Sequence, residues 1–200
     1  MVAKVKIMVN KSSAVTKERF DSGLMYRDYI NQIKVNRDRF EHYFGTAEIS
    51  EDDASFFKET FSKGVKRVLV LGEDWCPDVF RGMPIIARIA EASGMDLRIF
   101  PRDDNSDIMS EYLKGGEFQS IPVVVFYTDE QNYVCHWIER PAKANSERAA
   151  IEAKVVEEMP GADDQAVRGR IRELTTDLFP VWQQDSIKEI RQLISDKIGI

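Results

Sequence analysis

Residues 65–84, VKRVLVLGEDWCPDVFRGMP, constrain the fold of this chain more than any other stretch. The almost uninterrupted apolar, β-branched run at 65–71 is of the kind carried by a strand buried on both faces. A helical pattern follows over 77–93, through Met83, Ile86, Ile89 and Ala90, with Gly94 as its stop. Between the two, Cys76 stands where the helix opens, and Pro77 fits the first turn, where a missing N–H costs nothing. A strand that hands its chain directly to a helix belongs in an open α/β sheet, and sites form at the carboxyl ends of such strands.

The following sequence continues the alternation. DLRIF (96–100) predicts a second strand, and SDIMSEYLKGG (106–116) a short helix capped by Ser106 and stopped by its glycine pair. IPVVVFY (121–127) predicts a third strand, TDEQN a turn, and YVCHWIE (133–139) a fourth strand pairing back as a hairpin. The order β-α-β-α-β-β makes the first two strands parallel, joined by a right-handed crossover, with an antiparallel pair at the other side of the sheet.

Both ends of the chain look helical. Tyr26, Tyr29, Ile30, Ile33, Arg37, Phe40 and Phe44 recur at three-to-four residue spacing, one stripe on one helix, with Gly45 as a stop. Ser50 and Asp53 resemble a capping box opening a helix with Phe56, Phe57 and Phe61, closed by Gly64. Residues 1–10 alternate weakly, as a strand would. Near the other end, Asn145 or Ser146 caps a helix running to about Met159, and Pro160-Gly161 breaks it. A further helix starts near Asp163 and ends or kinks at Pro180. A last one carries Trp182, Ile187, Ile190, Leu193 and Ile194 on one face. The expected organisation is a helical extension (1–64), a central α/β unit (65–140) and a second helical extension (141–200), packed as one compact domain.

Composition narrows the function classes. A hydrophobic content of 43% supplies a core without disulfide staples. The formal net charge of −6 argues against nucleic acid and against an anionic membrane surface as partners. No apolar run approaches the roughly 20 residues of a spanning helix, and MVAKVKIMVN is too interrupted for a signal-peptide core. Cys76 and Cys135 are too few for a disulfide framework, which suits a reducing, cytoplasmic setting. His42 and His136 give no zinc-ligand spacing, and the acidic loop Asp103-Asp104-Asn105-Ser106-Asp107 lacks the spacing of a calcium loop, so no metal site is expected.

Cys76 is the one position where the local grammar points to chemistry. A cysteine at a helix N-terminus faces unpaired N–H groups and the positive end of the helix dipole, both of which favour thiolate. Glu73, Asp74 and Asp78 act the other way, as like charges, and Arg81 lies about a turn further along. The sequence leaves the sign of the balance open. Pro84 inside the helix removes the bond to the Phe80 carbonyl.

With Trp75-Cys76 after a buried strand, Pro84 in the following helix and Ile121-Pro122 opening the third strand, the chain resembles the thioredoxin-like superfamily. More narrowly, EDWCPD and the flanking helices look like bacterial thioredoxin-family proteins with extensions at both ends. The resemblance covers residues 65–140 by motif and the ends by helical texture. It implies an α/β fold, a four-stranded mixed sheet in the order 2-1-3-4 with helices on both faces, and a cis Ile121–Pro122 peptide lying against Cys76.

The departures from the family pattern carry as much weight. Its C-x-x-C motif is here Cys76-Pro77-Asp78-Val79, so the second, resolving sulfur is absent. The buried acid that thioredoxins carry in the preceding strand corresponds to Val70. Cys135 should pair near Phe126, away from the site, as a small buried apolar residue. Two functions stay open. The first is a one-cysteine (monothiol) thiol-disulfide oxidoreductase. In it Cys76 exchanges with a disulfide-containing substrate, and an external low-molecular-weight thiol such as glutathione resolves the product. Trp75, Pro77 and Asp78 would line the rim, with Ile121 and Pro122 holding the bound chain. The second is a non-catalytic module that binds a peptide or protein in the same groove.

Overall fold

The computed structural model describes residues 14–200; the weak strand expected near residues 1–10 lies outside the described residues. Its elements are α1 (Lys17–Asp21), α2 (Tyr26–Gln32), α3 (Arg37–Thr46), α4 (Glu51–Ser62), β1 (Val65–Gly72), α5 (Pro77–Ser93) and β2 (Asp96–Pro101), followed by α6 (Ser106–Ser110), β3 (Val123–Thr128), β4 (Tyr133–Ile138), α7 (Ala142–Glu158), α8 (Asp164–Thr176) and α9 (Phe179–Ile198). The described residues through Glu139, with Ile190–Ile200, form one compact unit, and Arg140–Glu189 form another.

The first unit is built on one sheet of order β2-β1-β3-β4. β1 runs parallel to β2, with Leu69 opposite Arg98, and antiparallel to β3, with Val70 opposite Val124. β4 returns antiparallel to β3, placing Cys135 opposite Phe126. This is the α/β thioredoxin-like architecture and strand order expected from the sequence. Both central strands are buried along almost their whole length, which is why β1 and β3 read as continuous Val and Leu rather than alternating. α5 covers one face with Val79, Phe80, Met83, Ile85, Ile86 and Ile89, all buried. Fully burying a side chain of this size contributes about 1.5–3 kcal/mol, so this face anchors the helix that starts at Cys76. α5 continues through Pro84 and ends at Gly94, whose φ of 83° places it in the left-handed region while its N–H reaches the Ala90 carbonyl.

At the N-terminal end, the single helix expected from the Tyr26–Phe44 stripe is two helices. Ile33 leaves α2 in extended geometry, and Asn36 takes φ 57° before α3. The amides of Lys34 and Val35 bond to the Asp74 carboxylate instead of continuing the helical ladder. The stripe survives the break because both helices still turn their aromatics inward: Tyr29 meets Phe40 edge-on, and Phe40 meets Phe80 of α5. Ser50 caps α4 as expected, its hydroxyl accepting from the Asp53 N–H and donating to the Asp53 carboxylate.

Four other boundaries differ from the sequence reading. α6 stops at Ser110 rather than near the glycine pair, because Lys114 turns to pair with Phe118 in an isolated bridge. Its N-cap position is Asn105, not Ser106, and the Asn105 side chain donates to the Pro101 carbonyl and accepts from Arg19. In the second unit, α7 begins at Ala142 behind Pro141, so Asn145 and Ser146 lie inside it. Pro180 neither ends nor kinks α8, which is already over at Thr176; it sits in the first turn of α9, where a proline loses no hydrogen bond. The Arg140–Glu189 unit packs α7 on α8 and ties the Trp182 indole N–H to Glu147.

Candidate thiol site

The chain leaves β1 at Gly72, turns through Glu73, Asp74 and Trp75, and enters α5 with Cys76 as its N-cap residue. Cys76 keeps extended geometry (φ −83°, ψ 123°). Its N–H donates to the Glu73 carbonyl, and its carbonyl accepts from the Val79 and Phe80 amides. Pro77 occupies the first turn. The Cys76 Sγ lies 3.8 Å from the Ile121 carbonyl oxygen, to which its S–H donates, and the Ile121–Pro122 peptide is cis. On the far side of Pro122, its carbonyl accepts from the Glu139 N–H at 2.7 Å. α5 passes close as well: a Cβ on Gly82 would stand 3.4 Å from the Pro122 ring. Cys76 and the Ile121–Pro122 peptide therefore meet at the carboxyl end of β1 and the start of β3, with Trp75, Pro77 and Asp78 flanking Cys76 in sequence.

Cys76 is 8% exposed. Burial, the dominant effect, pushes its thiol above the ordinary range, and the charges of Asp78 and Glu139 push the same way. The backbone N–H groups of Val79 and Asp78 at the helix start oppose them but do not win. The sign that sequence left open is thus resolved: the helix N-terminus is outweighed by desolvation and by acidic neighbours. The Arg81 guanidinium lies 5.3 Å from the Phe80 ring; burial lowers its pKa, while Tyr43 and Asp78 act the other way.

The rim is fixed by backbone anchors. The Asp74 carboxylate accepts from the Lys34 N–H at 2.8 Å and the Val35 N–H at 3.2 Å, while the Asn36 amide donates to the Asp74 carbonyl. Glu73 accepts from the Asp103 N–H at 2.8 Å; burial first, then the like charges of Asp103 and Asp74, raise its carboxyl. Glu139 pairs with Lys114. Trp75 is half exposed, with the Arg102 guanidinium 5.2 Å from its ring; Arg102 also pairs with Asp103 and reaches the Gln119 carbonyl.

Val79, where a second sulfur would stand, is fully buried. A Cβ on Gly72 would lie only 2.8 Å from its Cγ1, so its methyls fill the space over the end of β1. Val70 is likewise fully buried. Cys135 sits in the middle of β4, its thiol pushed up to about 12 by burial. His136 bonds through Nδ1 to the Tyr133 hydroxyl, and burial lowers its pKa. Among the described residues no group of His, Cys, Asp and Glu side chains is arranged to hold a metal ion, and no helix is long and apolar enough to cross a membrane.

Sequence reasoning missed two contributors. Tyr29 of α2 is 3% exposed, and it is close enough to feel the charges of Asp74, Glu73 and Cys76, which with burial hold its hydroxyl protonated. Arg102 follows β2 and reaches the site only through the parallel pairing of β1 and β2. Neither lies near the motif in sequence. Glu139 comes to the site because β4 runs antiparallel to β3, which brings its end back to the Pro122 carbonyl.

A family model described as thioredoxin matches residues 23–154. No curated protein matches. Two solved structures share the fold. One is a 1.5 Å crystal structure of a protein of unknown function from Pseudomonas aeruginosa: TM-score 0.64, 16% identity, 91% of this chain and 98% of that one. The other is a crystal structure of an HIV epitope-scaffold: TM-score 0.63, 16% identity, 91% and 99% coverage.

Proposed function

Since the chain belongs to the thioredoxin family, we propose that it is a single-thiol exchange protein acting through Cys76. The Cys76 thiolate attacks one sulfur of a substrate disulfide. A new Cys76–substrate S–S bond forms, the old S–S bond breaks, and the departing thiolate takes up a proton. With Val79 in place of a resolving cysteine, the mixed disulfide waits for an external thiol. That thiol attacks the substrate sulfur, and Cys76 leaves and is reprotonated. Ile121 and Pro122 would offer backbone groups to the bound chain, and Trp75, Pro77 and Asp78 would form its rim. The observation that carries this reading is the Cys76 sulfur lying on the Ile121 carbonyl beside Pro122, at the start of α5.

The burial and raised pKa of Cys76 favour a second reading, a groove that binds an extended peptide without exchange. A single-turnover experiment separates the two. The protein is incubated with 2-hydroxyethyl disulfide, and intact mass is followed. Exchange adds one mercaptoethanol moiety to wild type and none to Cys76→Ser. Equal adduct formation in the two, or none in either, sinks the exchange reading.

A further inference from the structure

We infer that Arg102 is a positioning residue that ties together the two chain segments meeting at the thiol, the turn 73–75 that delivers Cys76 and the stretch 119–121 that delivers Pro122. These segments come together where the Cys76 sulfur lies on the Ile121 carbonyl. Neither belongs to a strand or a long helix, so neither is held by a backbone ladder of its own.

Arg102 follows β2 directly and reaches both segments. Its backbone N–H donates to the Gly72 carbonyl at 3.4 Å, which sets the residue beside the end of β1. Its guanidinium lies 5.2 Å from the centre of the Trp75 ring. From the same group, Nη1 donates to the Gln119 carbonyl at 3.4 Å. Nε and Nη2 both donate to Asp103 Oδ1, at 2.9 and 2.5 Å. Asp103 is itself held, because its N–H donates to the Glu73 carboxylate at 2.8 Å. The first segment is therefore tied twice, through the Trp75 ring and through Glu73, and the second once, through Gln119.

The residue type fits this task. A guanidinium is planar, carries five N–H donors in a rigid fork and stacks on aromatic faces. An ammonium can satisfy the carboxylate or the carbonyl but has no flat face to lay on an indole. The Arg102 side chain is 18% exposed, whereas Trp75 is 50% exposed. Among the described residues, Arg102 is the one side chain that stacks on the Trp75 ring. Without it, a half-exposed indole next to Cys76 has no partner to fix its rotamer.

The consequence for chemistry rests on the exchange reading above. A disulfide with one small group on each sulfur touches little besides Cys76. A peptide disulfide extends past it onto the neighbouring segments, so its rate depends on where they stand. The test uses the full chain and two uncharged reagents, 2-hydroxyethyl disulfide and the disulfide dimer of an N-acetylated, C-amidated Ala-Ala-Cys-Ala-Ala peptide. Second-order rates of adduct formation at Cys76 are read by intact mass. The peptide rate is divided by the small-reagent rate, which cancels any general change in Cys76 reactivity. We expect this ratio to fall about 10-fold in Arg102→Gln, within the range that misplacement of about 1 Å costs a positioned reaction. Arg102→Lys should recover only a small part of the loss. In a Trp75→Ala background, Arg102→Gln should change the ratio by less than about 2-fold, because the two residues act as one unit. Equal losses with both reagents, an unchanged ratio, or full recovery by lysine overturn the positioning role and leave exchange intact.

Amide NMR spectra test the same link without any reaction and establish that each variant is folded. The Ser120 N–H shares a peptide plane with the Gln119 carbonyl, so its peak reports on the second segment. Trp75→Ala should shift that peak when Arg102 is present and leave it in place in Arg102→Gln. A Ser120 peak that moves equally in both backgrounds overturns the positioning role, whatever the exchange rates. Failure of both reagents to form an adduct with wild type removes the exchange reading, and the Ser120 peak then decides the role of Arg102 alone.

Discussion

Replacing Val79 by cysteine puts the assignment of this site to its sharpest test. Val79 is fully buried, and one of its methyls fills the space over Gly72. Exchanging it for a sulfur removes about one methyl's worth of packing, about 1 kcal/mol. For a chain of this length that lowers Tm by about 2–4 °C, so the variant remains folded. Its chemistry should change far more. The Val79 N–H already reaches the Cys76 carbonyl at 3.1 Å. Side chains three apart on a helix have Cβ atoms about 5–6 Å apart, a modest adjustment from the 3.5–4.5 Å of a disulfide. An internal sulfur at an effective concentration on the order of millimolar should outpace 10 μM external thiol by about a hundredfold. The assay loads Cys76 with a mercaptoethanol adduct, removes excess reagent by gel filtration, and follows intact mass without reductant. The parent adduct should persist. The Val79→Cys adduct should vanish, leaving a protein two hydrogens lighter than its reduced form. An adduct equally long-lived in both proteins would refute the reading that position 79 stands within disulfide reach of Cys76.

Three further outcomes follow from the geometry. Iodoacetamide should alkylate Cys76 with a midpoint pH above that of a free cysteine, since burial, Asp78 and Glu139 favour the protonated form; a midpoint below the free value would contradict the arrangement of carboxylates. Cys135→Ser should leave adduct formation at Cys76 unchanged. It should also cost about 1–3 kcal/mol in urea unfolding, the penalty for a buried hydroxyl without a partner, because position 135 is 2% exposed. Asp74→Ala should remove the acceptor shared by the Lys34 and Val35 amides, accelerating hydrogen exchange at both and costing about 1–3 kcal/mol; unchanged exchange at those amides would sink the clamp.

The central sheet and the start of α5 were legible in the sequence because their signals are local and redundant. β1 is a continuous apolar run, α5 is bracketed by Pro77 and Gly94, and the register of Cys135 near Phe126 follows from the length of one hairpin. The break between α2 and α3 was not legible. The pattern of apolar residues runs straight across it, and what interrupts the helix is Asp74, some forty residues away. α6 fails for a similar reason: Lys114 finds a partner in Phe118 that helical periodicity cannot announce. Pro180 was read as an end when it is a beginning, since a proline in the first turn of one helix and a proline after the last turn of another look alike in sequence. At the site, the motif placed Cys76 at the start of α5, but the sign of its pKa shift needed burial, which is a property of the whole fold.

The depth of Cys76 has a consequence for time rather than for affinity. A thiolate of high pKa is a strong nucleophile once formed but a reluctant leaving group. In the proposed exchange, an external thiol that must expel Cys76 to release the substrate would work against this reluctance, and a sulfur 8% exposed is also shielded from direct attack. With no neighbouring sulfur to cut the bond from within, the modified state decays at a pace set by the fold itself. Under the exchange reading, a chain that exchanges slowly in both directions would keep a record of the last oxidant it met, long after that oxidant has gone.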